Sequence, residues 1–256
     1  MATTASLSQL IPLLASQSLP VLHHDFLTAI LATSSRSQPI VALAATVKHR
    51  LLSSDISGHT SPVLATTCPG LPSNLGDRHV QTSTLHHDVF VQVLDLHDIG
   101  RSTGDQIDLL EAERKGETKK GREIIRIVPD AEQEPATAAT QSLDAPTTDQ
   151  KKEKGPFRLV LQDSKGNRAL AYEIKRVNNI GYPSTMSIGC KLWLRKGCKV
   201  ARGVLLLEPT TVGIIGGRIE TMDREWRTQR EDRLRSSLQG LKTVAQEVEN
   251  VSGRQQ

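Results

Sequence analysis

Two stretches of strict apolar alternation, one running from Asp88 to Ile99 and one from Phe157 to Gln162, stand more than fifty residues apart, and the residues between them cannot extend the same sheet. In the first, Val89, Val91 and Val93 point one way and Phe90, Gln92 and Leu94 the other, the period of two that marks a strand. In the second, Leu159 and Leu161 alternate with Arg158 and Gln162. The interval from Asp98 to Gly155 has no aromatic residue, cysteine, histidine or methionine, and from Glu132 to Lys154 it is polar and of low complexity. Such a segment buries too little surface to offset its own ordering entropy, so residues 99–155 are expected to be largely flexible. Its first half is less blank: Ile107, Leu109 and Leu110 predict a short helix, and Ile124, Ile125, Ile127 and Val128 a short strand. An insert of this length inside a compact domain is a functional element or a disordered one.

On either side the periods change. Leu7, Leu10, Ile11 and Leu14 share a helical face behind Ser6 as N-cap, and a second helix is predicted from His24 to Ala32. A third has Ser37 as cap, Pro39 in the first turn, and Ile40, Leu43, Val47 and Leu51 at spacings of three and four. Residues 57–84, rich in Gly and Pro, read as a connecting segment. After Leu161 the run Asp163-Ser-Lys-Gly-Asn167 is a hairpin turn, followed by a strand with Leu170, Tyr172 and Ile174 on one face. Strand-like runs recur at Lys191–Lys196, Val204–Glu208 and Val212–Ile215, and then Ile219, Met222, Trp226, Leu234, Leu238 and Leu241 outline an amphipathic helix with a break expected near Gly240. The fold class is therefore α+β: a small N-terminal helical bundle (6–56), a connecting segment (57–84), a five- or six-stranded β-barrel (85–217) with the insert 99–155 between its first and second strands, and a C-terminal helix (218–251).

The composition excludes several functions. The cysteines, Cys68, Cys190 and Cys198, are odd in number and lack C-x-x-C spacing, so a disulfide framework or zinc knuckle is not expected and the reading is an intracellular protein. The longest apolar run, Ile40 to Ala45, is far too short to span a bilayer, so no membrane association is expected, and no basic residue precedes Arg36 as a secretory leader would require. The pairs His23-His24 and His86-His87 have no ligand partner at helical spacing. Gly116 to Gly121 has the glycine spacing of a phosphate loop, but Arg122-Glu123 stands where Lys and Ser or Thr are needed. No G-x-S-x-G elbow occurs. The chain is read as no enzyme, with no catalytic residue, metal or cofactor.

Charge is unevenly placed. Residues 1–97 carry 4 basic against 5 acidic groups, 98–155 carry 10 against 13, and 156–256 carry 18 against 10. A module with such an excess sits near a polyanion or presents a solvated basic face. Lys175, Arg176, Lys191, Arg195, Lys196, Lys199 and Arg202 are the candidate DNA-facing residues. Barrel folds that hold single strands also use aromatic platforms, and this third has only Phe157, Tyr172, Tyr182, Trp193 and Trp226. A stand-alone single-stranded DNA-binding barrel is the second reading, behind protein contact.

Lys191-Leu-Trp-Leu, Ala201-Arg-Gly-Val-Leu-Leu-Leu-Glu-Pro209 and Ile214-Ile-Gly-Gly217 together resemble the fungal branch of the RecQ-mediated genome instability protein 1 family, built on an oligonucleotide/oligosaccharide-binding (OB) fold. Leu159-Val-Leu-Gln-Asp163 looks like that family's second barrel strand, Val91-Gln-Val-Leu-Asp95 with Asp98-Ile-Gly-Arg-Ser102 like its first strand and insert entry, and Arg50-Leu-Leu-Ser-Ser-Asp-Ile56 like the end of its helical bundle. The resemblance implies a nuclear, non-catalytic scaffold in a RecQ helicase–topoisomerase III complex. Such a scaffold binds the type IA topoisomerase through barrel and insert, and promotes decatenation and dissolution of double Holliday junctions, with DNA contact weak or indirect. Larger members carry a second barrel that recruits a further small OB-fold subunit, which is not expected as a partner of this chain. Within the insert, Ile124, Ile125, Ile127 and Val128 are the candidate apolar anchors and Lys119, Lys120, Arg122 and Arg126 the candidate charges for DNA or an acidic partner surface. The alternative for the four apolar residues is an extra strand on the barrel edge.

Overall fold

The computed structural model of the chain describes residues 2–34, 38–58, 62–76, 79, 81–115, 155–182 and 185–252, with side chains from Leu7 to Gly240. Three helices come first, α1 (Ala2–Ser16), α2 (His24–Thr33) and α3 (Ile40–Ser53). Apolar residues at three and four spacing explain them: Leu10 and Leu14, Leu27 and Ile30, and Leu43, Val47 and Leu51 are all buried together. Helix α1 begins at Ala2, four residues before the Ser6 expected to cap it, and α2 is capped instead by His23, whose Nδ1 accepts the Asp25 N–H at 3.2 Å. Ser37 lies outside the described residues.

The remaining elements are β1 (Thr82–Thr84), β2 (Val89–Asp98), α4 (Thr103–Lys115), β3 (Phe157–Asp163), β4 (Arg168–Glu173), β5 (Lys191–Leu194), β6 (Lys199–Ala201), β7 (Val204–Leu207), β8 (Val212–Gly216) and α5 (Glu220–Ser252). They form one sheet in the order β1-β6-β7-β4-β3-β2-β5-β8, antiparallel throughout except for β4 beside β7. Its curl follows from one run of chain: β5 pairs with β2 and β6 with β7, yet only residues 195–198 separate β5 from β6. The run 191–201 therefore joins two distant parts of the sheet into an OB-type barrel. The strands outnumber the expected five or six because β1 and β6 are three residues each, too short to show a period.

Val89, Val91 and Val93 of β2 face the barrel core with Leu159, Leu161, Leu192, Leu194, Leu205 and Leu207. A bulge between Val93 and Asp95 resets the alternation, which returns Leu96 to the inside. On β4 the inward residues are Ala169, Ala171 and Glu173, while Leu170 and Ile174 of the apolar face seen in the sequence are exposed. The C-terminal helix α5 runs through Gly240 without the break expected there.

The outer face of β2 and β5 is not solvent. Phe90 joins the core of the helical region, with Trp193 and Ile215 packed against it, and the Phe90 and Trp193 rings meet edge-on at 5.0 Å. Such a pair adds about 0.5–1.5 kcal/mol beyond its buried area. The Trp193 indole N–H donates to the Ser18 carbonyl at 2.8 Å. Gln92 Oε1 accepts the Ile56 N–H at 3.1 Å, and its amide donates to Asp55 at 2.6 Å and to Gln162 at 3.1 Å. Gly217 closes the seam in a left-handed conformation (φ +98°), where a Cβ would stand 2.6 Å from the Leu52 carbonyl oxygen.

This seam corrects one candidate DNA-facing residue. Lys191 lies opposite Gln92 in the β2–β5 register and is fully buried, its ammonium donating to the Gly189 carbonyl at 2.6 Å. The helical region covers the face it projects from, so Lys191 reaches no DNA. Burial pushes its pKa from 10.5 down to about 8, against the smaller upward pull of Cys190 and Asp55. The three cysteines are likewise buried and free, and burial raises each thiol pKa, that of Cys190 to about 11.

Because folding lowers the Lys191 pKa, its protonation opposes folding: the contribution to stability is complete above pH 10.5 and is lost as pH falls towards 8. The Cys190 thiol acts oppositely above pH 9, so the lysine effect is read as a difference from Lys191→Met. Relative to that variant, the unfolding free energy of the native chain should rise by about 3 kcal/mol from pH 8 to 10.5 in urea titrations. A difference independent of pH would show that the amine is solvated.

Candidate functional site at the root of the insert

The chain leaves the barrel at Asp98 and returns at Phe157, and both points are held by buried polar groups. Asp98 is fully buried; its N–H donates to the Tyr182 hydroxyl at 3.2 Å, and that hydroxyl in turn donates to Gln106 Oε1 on α4. The Gln106 amide closes the circuit by donating to the Asp98 carbonyl at 2.9 Å and to the Arg101 carbonyl at 3.2 Å. The Asp98 carboxylate accepts the Gly100 N–H at 2.9 Å and lies 3.4 Å from the Arg101 guanidinium. The expected short helix thus has a definite seat: α4 turns back from the strand end and is locked by a residue two-hundredths exposed, Gln106.

At the return, Glu173 does the same for the other strand. Its carboxylate accepts the Phe157 N–H at 3.1 Å and the Val177 N–H at 2.7 Å, with Arg176 at 3.4 Å. The Phe157 ring lies between the edge of Tyr182 at 5.6 Å and the Arg176 guanidinium at 5.3 Å. The Ile99 N–H donates to the Pro156 carbonyl at 3.0 Å, so the two arms of the insert touch at the barrel wall. Farther out, α4 runs antiparallel to α5, with Arg235 paired to Glu111 and Glu231, and Arg114 to Glu231 at 3.4 Å. Exposed pairs like these set register more than stability.

Beside this root runs a groove of about 990 Å³ between α5 and the ends of β2 and β3. Trp226 donates its indole N–H to Asp95 Oδ1 at 2.6 Å, and the same oxygen accepts the Leu96 N–H at 2.9 Å. Arg230 lies over the Tyr182 ring at 3.7 Å, and Arg233 over Trp226 at 5.3 Å. His97 lines the groove opposite Arg158 in the β2–β3 register, and its pKa is lowered first by burial and then by Arg158. Burial also raises the Tyr182 pKa, keeping its hydroxyl a donor.

The candidate DNA-facing residues are divided among several local partners. Lys175 and Lys199 converge on Glu208, at 2.9 and 3.9 Å. Arg195 pairs with Asp88 at 2.8 Å and lies over Trp193, while Lys196 is exposed and gives its backbone N–H to the same aspartate at 2.8 Å. Arg202 is exposed in the β6–β7 turn with a φ of +47°, Arg176 stacks on Phe157, and Lys191 is the buried residue already described. Local carboxylates offset much of the charge counted from sequence. The insert residues Ile124, Ile125, Ile127, Val128, Lys119, Lys120, Arg122 and Arg126 lie outside the described residues.

Sequence reasoning missed the groove. One signal was present, since Trp226, Arg230 and Arg233 are four and three apart and so share a helical face. Nothing local foretold Tyr182 or Gln106, which meet across 76 positions of sequence.

Two family profiles match the chain: RMI1, N-terminal OB-fold domain, over residues 71–230, and RMI1, N-terminal helical domain, over residues 14–58. RecQ-mediated genome instability protein 1 of Schizosaccharomyces pombe is 29% identical over 206 residues, which cover 79% of this chain and 81% of that protein.

Replacing Glu173 by Ala leaves the Phe157 and Val177 N–H groups buried without an acceptor and should cost about 2–4 kcal/mol in chemical denaturation. Tyr182→Phe, which breaks the Asp98–Tyr182–Gln106 circuit but keeps the ring, should cost about 1–2 kcal/mol. Losses below 0.5 kcal/mol in both, roughly the scale of a neutral surface change, would mean that water replaces these bonds.

Proposed function

The chain belongs to the RMI1 family, and from that premise we propose that it is a non-catalytic scaffold subunit acting with a RecQ helicase and a type IA topoisomerase, topoisomerase III, in the nucleus. On this reading the barrel binds the topoisomerase and the insert between β2 and β3 reaches its DNA gate, favouring decatenation and dissolution of double Holliday junctions in recombination, replication and repair. DNA is contacted weakly, or only through the partner. One observation carries the reading: Asp98, Tyr182 and Glu173 of the barrel domain, with Gln106 of α4, fix where the insert leaves and returns. A mere surface excursion needs no such anchorage, whereas an element that must meet a partner at a set place does.

The aromatic residues of the barrel support a scaffold over a stand-alone single-strand binder. Phe90 and Phe157 are buried, Trp193 packs on the helical region, and the rings of Tyr182 and Trp226 are covered by arginines. Tyr172 remains, half-exposed on β4, where single-strand binders use successive platforms.

Replacement of residues 116–154 by a short Gly-Ser linker keeps α4 and both anchored arms. The native chain should co-elute with its topoisomerase III and stimulate decatenation, and the shortened chain should fold and bind but stimulate poorly. Failure of both chains to bind would remove the scaffold reading. Serine at Ile124, Ile125, Ile127 and Val128 together should lower stimulation with little change in melting temperature, and a large drop in melting temperature would identify them as core.

A further inference from the structure

We propose that the groove between α5 and the ends of β2 and β3 is a docking site for an acidic peptide segment of a partner protein, with Arg158 and Arg230 receiving its carboxylates. The proposal does not depend on the identity of the topoisomerase partner or on residues 116–154 of the insert.

Three observations converge on it. The groove is large enough, at about 990 Å³, for several side chains, and its floor and wall combine Leu96 and Leu234 with the arginines. Among the described residues Arg158 and Arg230 are in no ion pair with a carboxylate, unlike Arg233, which lies 3.9 Å from Asp95, and Arg235. The Arg230 guanidinium lies 3.7 Å from the centre of the Tyr182 ring and also hydrogen-bonds the tyrosine side chain, which holds it at the groove, and its remaining N–H groups can meet a carboxylate. His97 lies opposite Arg158 in the β2–β3 register, and burial and Arg158 hold it towards its neutral form against the pull of Asp95 and Asp98.

The same geometry favours a peptide over a nucleic-acid strand. The aromatic faces that bases would stack on are already occupied by Arg230 and Arg233. Asp95 and Asp232 line the groove as well, and they would repel a continuous row of phosphates. A peptide spaces its carboxylates between neutral residues, and Thr103, Gln229 and Ser237 offer neutral partners for its main chain. Strand addition is closed off, because the outward N–H groups of Leu96 and Asp98 are taken by the Asp95 carboxylate and the Tyr182 hydroxyl. Recognition therefore runs through side chains.

The chain has two tryptophans, one in the groove and one on the helical seam, so their indole N–H resonances report on the site and on a control position. The intact chain is titrated with a peptide of repeated Ser-Asp-Leu-Glu, with its Asn and Gln counterpart, and with oligothymidylate. Saturable movement of the Trp226 resonance by the acidic peptide alone, with Trp193 still, supports the proposal. Arg158→Ala, on the outer face of β3, should weaken that binding about tenfold, and Arg158→Glu should abolish it. An unmoved Trp226, or full affinity in Arg158→Ala, overturns it. Movement of Trp226 by oligothymidylate at lower concentration than by the peptide overturns it in favour of a nucleic-acid groove.

Discussion

Closure of the barrel by residues 191–201 is the constraint from which the other features follow. One end of this run lies against β2 and the other against β7, with a four-residue corner between. The strands on either side must therefore curl, and curling divides their residues into a filled interior and a convex exterior. The interior takes branched aliphatics and the two alanines of β4. The exterior is then free for other uses, and the molecule uses it three ways: the helical region covers β2 and β5, helix α5 lies beside β2 and β3, and the Leu170–Ile174 face of β4 remains open.

Polar groups hold these layers in place as much as apolar contact does. Asp163 accepts main-chain N–H groups from its own hairpin and from Leu71 of the connecting segment. Asp223 on α5 accepts the Ile188 N–H at 2.9 Å and pairs with Arg218 and Arg227. Glu173 and Asp98 act similarly at the insert. Each is a buried carboxylate bound to backbone donors, an arrangement that is costly to disrupt. The barrel is thus fastened at points where loops leave it.

Much of this architecture could be read from residue spacing. The helices followed from apolar spacing at three and four, the main strands from alternation, and the interruption between β2 and β3 from the loss of both. What could not be read was which exterior faces other parts of the chain cover. Lys191 has the pattern of a surface lysine on a strand, and only the docking of a region more than a hundred residues earlier buries it. Leu170 and Ile174 have the pattern of a core face, yet the inward positions on β4 are Ala169, Ala171 and Glu173. The groove was hidden for the same reason: Tyr182, His97 and Trp226 come from three separate segments, and helix α5 brings them together.

The meeting of the two insert arms at Ile99 and Pro156 has a consequence for how such a protein can change over generations. When the ends of an excursion are already side by side, the entropic cost of lengthening it grows only with the logarithm of its length, roughly 0.6 kcal/mol per doubling. The barrel is then a socket indifferent to the size of what is plugged into it. Residues between the arms can be gained, lost or rewritten while the interior and its carboxylate fastenings stay as they are, so the insert is free to diverge faster than the barrel that carries it.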